Sequence, residues 1–224
     1  MDDPEQEPIR EKIDSQLASI YGYNDFIATN LRRAEDLTVF AEKHFMKDGP
    51  SPIRDDILRA AVVFLHATLE DFLRYIGSKY IPSGSEDVLN KISLIGSSDV
   101  LRPEKFLLGK LAKHRDKTVD QLITESVEAH LDKRSFSNTT DISQLLDSVG
   151  VPSTEVEAYY PSISELMARR HEIAHKGDLK GTFNQKGERD PAPIEASKVT
   201  EWGATVIEFT ATVVAYKLEK GVGV

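Results

Sequence analysis

The 224-residue chain has no cysteine. That excludes disulfide frameworks, thiolate zinc sites and cysteine nucleophiles, and leaves only His, Asp and Glu as metal ligands. Long apolar runs are also missing: the richest, AAVVFLHATL from Ala60 to Leu69, falls far short of the ~20 residues that span a bilayer. Positive charge is in deficit, with Lys+Arg 28 against Asp+Glu 37, a net charge of −9 and a pI near 5.2. Broad charge-driven wrapping of nucleic acid or anionic lipid is therefore excluded, although a small local basic site is not. The opening MDDPEQEPIREK lacks the basic-then-apolar order of a signal peptide, so the expected location is the cytoplasm, with no membrane partner. No alternating strand pattern, internal repeat, glycine-rich phosphate loop, nucleophile-elbow serine or paired acidic metal motif is present.

Helical periodicity is abundant. From Ile9 to about Met46, apolar residues including Ile13, Leu17, Ile20, Ile27, Leu31, Ala34 and Leu37 recur mostly at spacings of three and four, as one long helix or two joined ones. After the break at Gly49–Pro52, a second helix is expected from Pro52 to about Tyr80, apolar around much of its girth and so suited to the middle of a bundle. Residues 81 to 103 carry loop chemistry, with a short helix expected around Leu89 to Ile95. Further short helices are expected near 104–114, 117–133 and 141–148. A strong helix should begin near Ser153 or Ser162 and stop at Gly177. A loop follows over Asp178–Pro193, and the last helix runs from Ile194 to about Lys220. The chain reads as a single all-α domain over 1–224, an antiparallel helical bundle with an N-terminal helical extension at 1–48 and a loop and short-helix insertion at 81–150.

Chemistry concentrates in RRHEIAHKG, residues 169–177. His171 and His175 lie one helical turn apart, while Arg170 is about 140° around and ~7.5 Å along the axis from His175. The bland reading is a polar helix end, in which Glu172 and Lys176 pair at i,i+4 and cations suit the carboxyl-terminal turn. A second reading is zinc hydrolysis, since His171-Glu172-Ile173-Ala174-His175 spells H-E-x-x-H, with Glu195 downstream as a third ligand. Its surroundings argue against it: Arg169, Arg170 and Lys176 would repel a bound Zn²⁺, and position 181 is glycine where the elongated motif needs histidine.

A third reading needs no metal. Arg170, polar His171, three further residues and His175 resemble the R-(N/D/H)-x-x-x-H motif of the HEPN superfamily of helical bundles, and ARRHEIAHKGDL is similar to its R-N-x-I-A-H-G segment. The upstream helix with Leu69-Glu70-Asp71-Phe72-Leu73 is similar to the first core helix of HEPN groups associated with RNA-ligase and phosphatase modules. The resemblance covers residues near 52–80 and 154–177, but leaves most of 81–150 unexplained. His171 stands where asparagine is more common, and Lys176 separates His175 from Gly177.

The resemblance implies a metal-independent endoribonuclease or RNA-binding module, a toxin or defence protein that needs no cofactor. RNA would be its partner, together with a second copy of the chain and an antitoxin or other protein. Arg170, His175 and His171 would be the catalytic set, with His66, Glu70, Arg169 and Lys176 supporting. Cleavage through the 2′-hydroxyl needs a base, an acid and a cation on the phosphorus oxygens, and imidazole and guanidinium suit those tasks. One chain offers one such pair, so a two-fold dimer with both motifs at one cleft would complete the set. The competing reading is a catalytically silent homodimeric scaffold.

Outside the motif, His66 and Glu70 are four apart on the most apolar helix and read first as a structural polar pair. The basic run Lys110, Lys113, His114, Arg115 and Lys117 reads first as a solvated face, and second as a phosphate track. Trp202, Phe209 and Tyr216, seven apart, mark a packing stripe.

Overall fold

The computed structural model describes residues 27–45, 51–95, 108–180 and 189–221, so expectations for residues 1–26 lie outside the described residues. Helix α1 spans 27–45. It is followed by α2 (Pro52–Tyr80), α3 (Glu86–Leu89), α4 (Val119–Asp132), α5 (Thr139–Ser148), α6 (Tyr160–Lys176) and α7 (Ala196–Gly221). The architecture is all-α, as the periodicity predicts.

The chain forms two compact units. The first is Met1–Leu69 with Thr154–Val224, and the second is Glu70–Ser153. Helix α2 contributes its first part to one and its last part to the other. In the first unit, α2 buries Leu58, Ala61, Val62, Leu65 and Leu69, a stripe at spacings of three and four. Helix α6 supplies Ile163, Leu166 and Met167 to that core, and α7 supplies Val199, Trp202, Val206, Phe209 and Val213. Trp202 and Phe209 are thus packing residues. Tyr159 meets Phe209 edge-on, with ring centroids 6.3 Å apart.

The second unit packs Phe72, Leu73 and Ile76 of α2, Val127 and Leu131 of α4, and Ile142, Leu145 and Leu146 of α5. Two of its helices start on side-chain caps: Thr118 and Gln121 form a reciprocal capping box on α4, and Asn138 accepts the Asp141 amide at the start of α5. Within the basic run, Lys117 pairs with Glu125 at 2.5 Å.

Three local expectations are corrected. The short helix after α2 is Glu86–Leu89, not 89–95, because Ser85 and the acidic Glu86 and Asp87 favour a start there. The stretch from 153 to 159 forms two 3-10 turns, and α6 begins only at Tyr160, with Pro161 in its first turn. The expected loop after Gly177 contains a two-residue antiparallel pair, Leu179–Lys180 (β1) with Asp190–Pro191 (β2). That is too short to leave an alternating pattern.

Candidate functional site

Helix α6 ends as a glycine-stopped helix should. Gly177 takes the left-handed conformation (φ 63°), and its amide donates to Glu172 O. Asp178 is left-handed too (φ 58°), and its amide also donates to Glu172 O, at 3.0 Å. This double turn reverses the chain into β1, and the Ala192 amide donates back to Asp178 O at 2.7 Å.

The Asp178 side chain is 1% exposed, and two guanidinium groups converge on it. Arg59 Nε, from α2, donates to Oδ2 at 2.6 Å, and Arg169 Nη2, from α6, donates to the same oxygen at 2.7 Å. Both arginines also donate to Ala192 O, at 2.9 and 3.1 Å, and Arg169 reaches Pro193 O at 3.0 Å. Burial by itself would lower the Arg59 pKa, but its hydrogen bonds to Asp178 and Asp56 outweigh it and raise the value. Asp178 Oδ1 and Arg169 Nε are buried without a hydrogen-bond partner among the described residues.

Arg170 has a different environment. It is half-buried, three and seven residues beyond the buried Met167 and Ile163, and makes no hydrogen bond or ion pair among the described residues. His171 and His175 are both exposed, their ring centroids 4.8 Å apart and their planes tilted by 46°. Lys176 Nζ pairs with Glu172 Oε1 at 2.8 Å, the i,i+4 contact of a polar helix end. The carboxylate that the H-E-x-x-H reading needs as a base is therefore engaged by a cation. Among the described residues, no group of three His, Asp or Glu side chains could hold a metal ion.

His66 is buried, 2% exposed, within the first unit. Glu70 belongs to the second unit, where its Oε1 accepts the Phe136 amide at 3.3 Å and its Oε2 lies 3.6 Å from Arg74 Nη2. Arg74 and Arg134 both place a guanidinium over the Phe136 ring, at 5.9 and 5.5 Å.

Sequence reading missed Arg59 and Asp178. A faint signal existed for each: an arginine beside the apolar stripe of α2, and a carboxylate just past a helix carboxyl terminus, where the dipole disfavours negative charge.

An all-α bundle with a polar Arg-His helix end defines a HEPN-type module. The RiboL-PSP-HEPN family description matches residues 29–211, and the chain belongs to that family. It is thus of the HEPN nuclease and RNA-binding class. No curated protein and no solved structure matches it. No helix among the described residues is long and apolar enough to cross a membrane.

Proposed function

We propose that the protein is a metal-independent endoribonuclease whose catalytic set is Arg170, His175 and His171. The observation that carries this reading is the contrast between neighbouring arginines. Arg169 is spent on Asp178, Ala192 and Pro193, whereas Arg170 has no partner among the described residues and stands on the same helix end as two exposed imidazoles. A guanidinium without a structural task, beside two exposed imidazoles, suits a phosphodiester.

In the reaction, the His175 imidazole accepts the 2′-hydroxyl proton as that oxygen attacks phosphorus. Arg170 stabilises the charge gathering on the non-bridging oxygens. The bond from phosphorus to the 5′-oxygen breaks, and an imidazolium protonates the departing oxygen, leaving a 2′,3′-cyclic phosphate and a 5′-hydroxyl. Arg170 and His175 are some 140° apart around one helix. A second copy of the chain, its motif facing the same cleft, therefore supplies the acid. Arg169 and Lys176 support the site, Arg169 through Asp178 and Lys176 through its pairing with Glu172. The biological setting we propose is cytoplasmic, as a toxin or defence protein held by an antitoxin or other protein partner.

The test is incubation of purified protein with single-stranded RNA, with and without a chelator, alongside light scattering. Cyclic-phosphate products, insensitivity to chelation and a dimer are expected. A ~25 kDa monomer at high concentration would overturn the shared cleft. RNA binding without cleavage under any condition would reduce the protein to an RNA-binding module.

A further inference from the structure

Asp178 is an odd residue for its position. The left-handed turn after Gly177 is served as well by glycine or asparagine, and a carboxylate beyond a helix carboxyl terminus meets the negative end of the dipole. What the carboxylate adds lies in its side-chain contacts. One oxygen receives Arg59 at 2.6 Å and Arg169 at 2.7 Å, while the other has no partner among the described residues. Asp56, the second carboxylate on Arg59, is 74% exposed, so Asp178 is the buried counter-charge for both arginines. Its backbone meanwhile joins the end of α6, through Glu172 O, to the returning strand, through Ala192 N.

We infer that Asp178 is the positioning residue of this site, sorting the two adjacent cations of α6. It withdraws Arg169, together with Arg59, from the exposed end of α6 and fixes the last helical turn, so that Arg170, His171 and His175 are the groups presented to a phosphodiester. The turnover arm of the test rests on the ribonuclease reading; the spectroscopic arm does not.

The inference makes binding and turnover move apart. Removing the charge of Asp178 releases a cation beside the exposed helix end, which favours a polyanion, while misplacing the reacting groups. A misplacement of about 1 Å can cost ~10²-fold in rate. The experiment compares wild-type full-length protein with Asp178→Asn for single-turnover cleavage of a fluorescent single-stranded RNA oligonucleotide and for its affinity at several salt concentrations. Side-chain NMR of the arginine Nε–H and histidine ring signals accompanies both. Expected for Asp178→Asn are turnover lower by about 10²-fold, affinity unchanged or higher, and a salt slope steeper by about 0.7 for one added phosphate contact on a single strand. The His171 and His175 ring signals should shift, and the Arg169 Nε–H should become as mobile as that of Arg170.

Affinity and turnover falling together, in step with the melting temperature, would make Asp178 a structural anchor alone and overturn the inference. So would unchanged turnover with unshifted rings. If Asp178→Asn does not fold, Arg169→Gln takes its place, since it breaks the Arg169–Asp178 contact and leaves Arg59 on the carboxylate. A several-fold loss of turnover with shifted rings supports the inference, and wild-type behaviour in both overturns it. If wild-type protein cuts no RNA, the ribonuclease reading fails by itself, and the ring and Arg169 signals still decide the role of Asp178.

Discussion

His171 and His175 lie one turn apart on α6, with ring centroids 4.8 Å apart, planes tilted by 46° and both side chains exposed. Neither ring is part of the core, so replacing either by alanine should change stability by under ~0.5 kcal/mol. His175→Ala should nevertheless abolish RNA cleavage, since loss of a proton-transfer group costs ~10²–10⁴-fold in rate. His171→Ala should cost less. Arg170→Ala should behave like His175→Ala. Thermal melts beside cleavage rates check this. A collapse of melting temperature in the Arg170 and His175 variants would make the pair structural.

Arg169→Ala and Asp178→Ala should differ in losing stability as well as turnover. Asp178→Ala leaves two largely buried guanidinium groups, 11% and 14% exposed, without their counter-charge. Breaking a buried pair in this way costs about 3 kcal/mol or more. Denaturant titration should show a clearly lower midpoint for Asp178→Ala than for Arg170→Ala. Equal midpoints would mean that solvent screens the cluster.

The second unit carries a titrating group of its own. Burial, then the neighbouring Arg134, pushes the His130 pKa below its ordinary 6.5. Above 6.5 the imidazole is neutral in folded and unfolded chains alike. As the pH falls below 6.5 the unfolded chain takes the proton first, so stability is lost until the folded-state pKa is passed. His130→Gln should remove this component, and its stability curve should diverge from that of wild type between pH 7 and 5. Parallel curves would show that His130 titrates normally.

Gly77 marks a close approach of side chains in the second unit. A Cβ there would lie 2.9 Å from Leu131 Cδ1 and 3.1 Å from Leu145 Cδ1. Both leucines are fully buried and have little room to swing aside. Gly77→Val should therefore cost roughly 1–3 kcal/mol by overpacking, read as a lower unfolding midpoint. A stabilised variant would mean that the leucines repack freely.

Much of the fold was legible because its long helices bury regular stripes. The run Leu58, Ala61, Val62, Leu65 and Leu69 announces α2, and Gly177 announces the end of α6. Short elements were less legible: α3 is four residues long, so its start depends on Ser85 and two acids more than on any period. The motif could be read as a string, but the fates of its two arginines could not. Arg169 is committed by Asp178, nine residues on, and Asp178 is shared with Arg59, 119 residues away in sequence. No local pattern carries a pairing of that span; only the motif resemblance set Arg170 apart from Arg169, and it gave no reason in the fold.

The division of the chain also sets an order of assembly. The second unit is one uninterrupted segment, whereas the first joins residues before Glu70 to residues after Ser153. Closing the 119-residue separation between Arg59 and Asp178 carries an entropic cost of roughly 4 kcal/mol, from (3/2)RT ln n. On the ribosome, Glu70–Ser153 has emerged before α6 and α7 exist to meet α2. The turn at Gly177 and Asp178 therefore closes only after the second unit has been made.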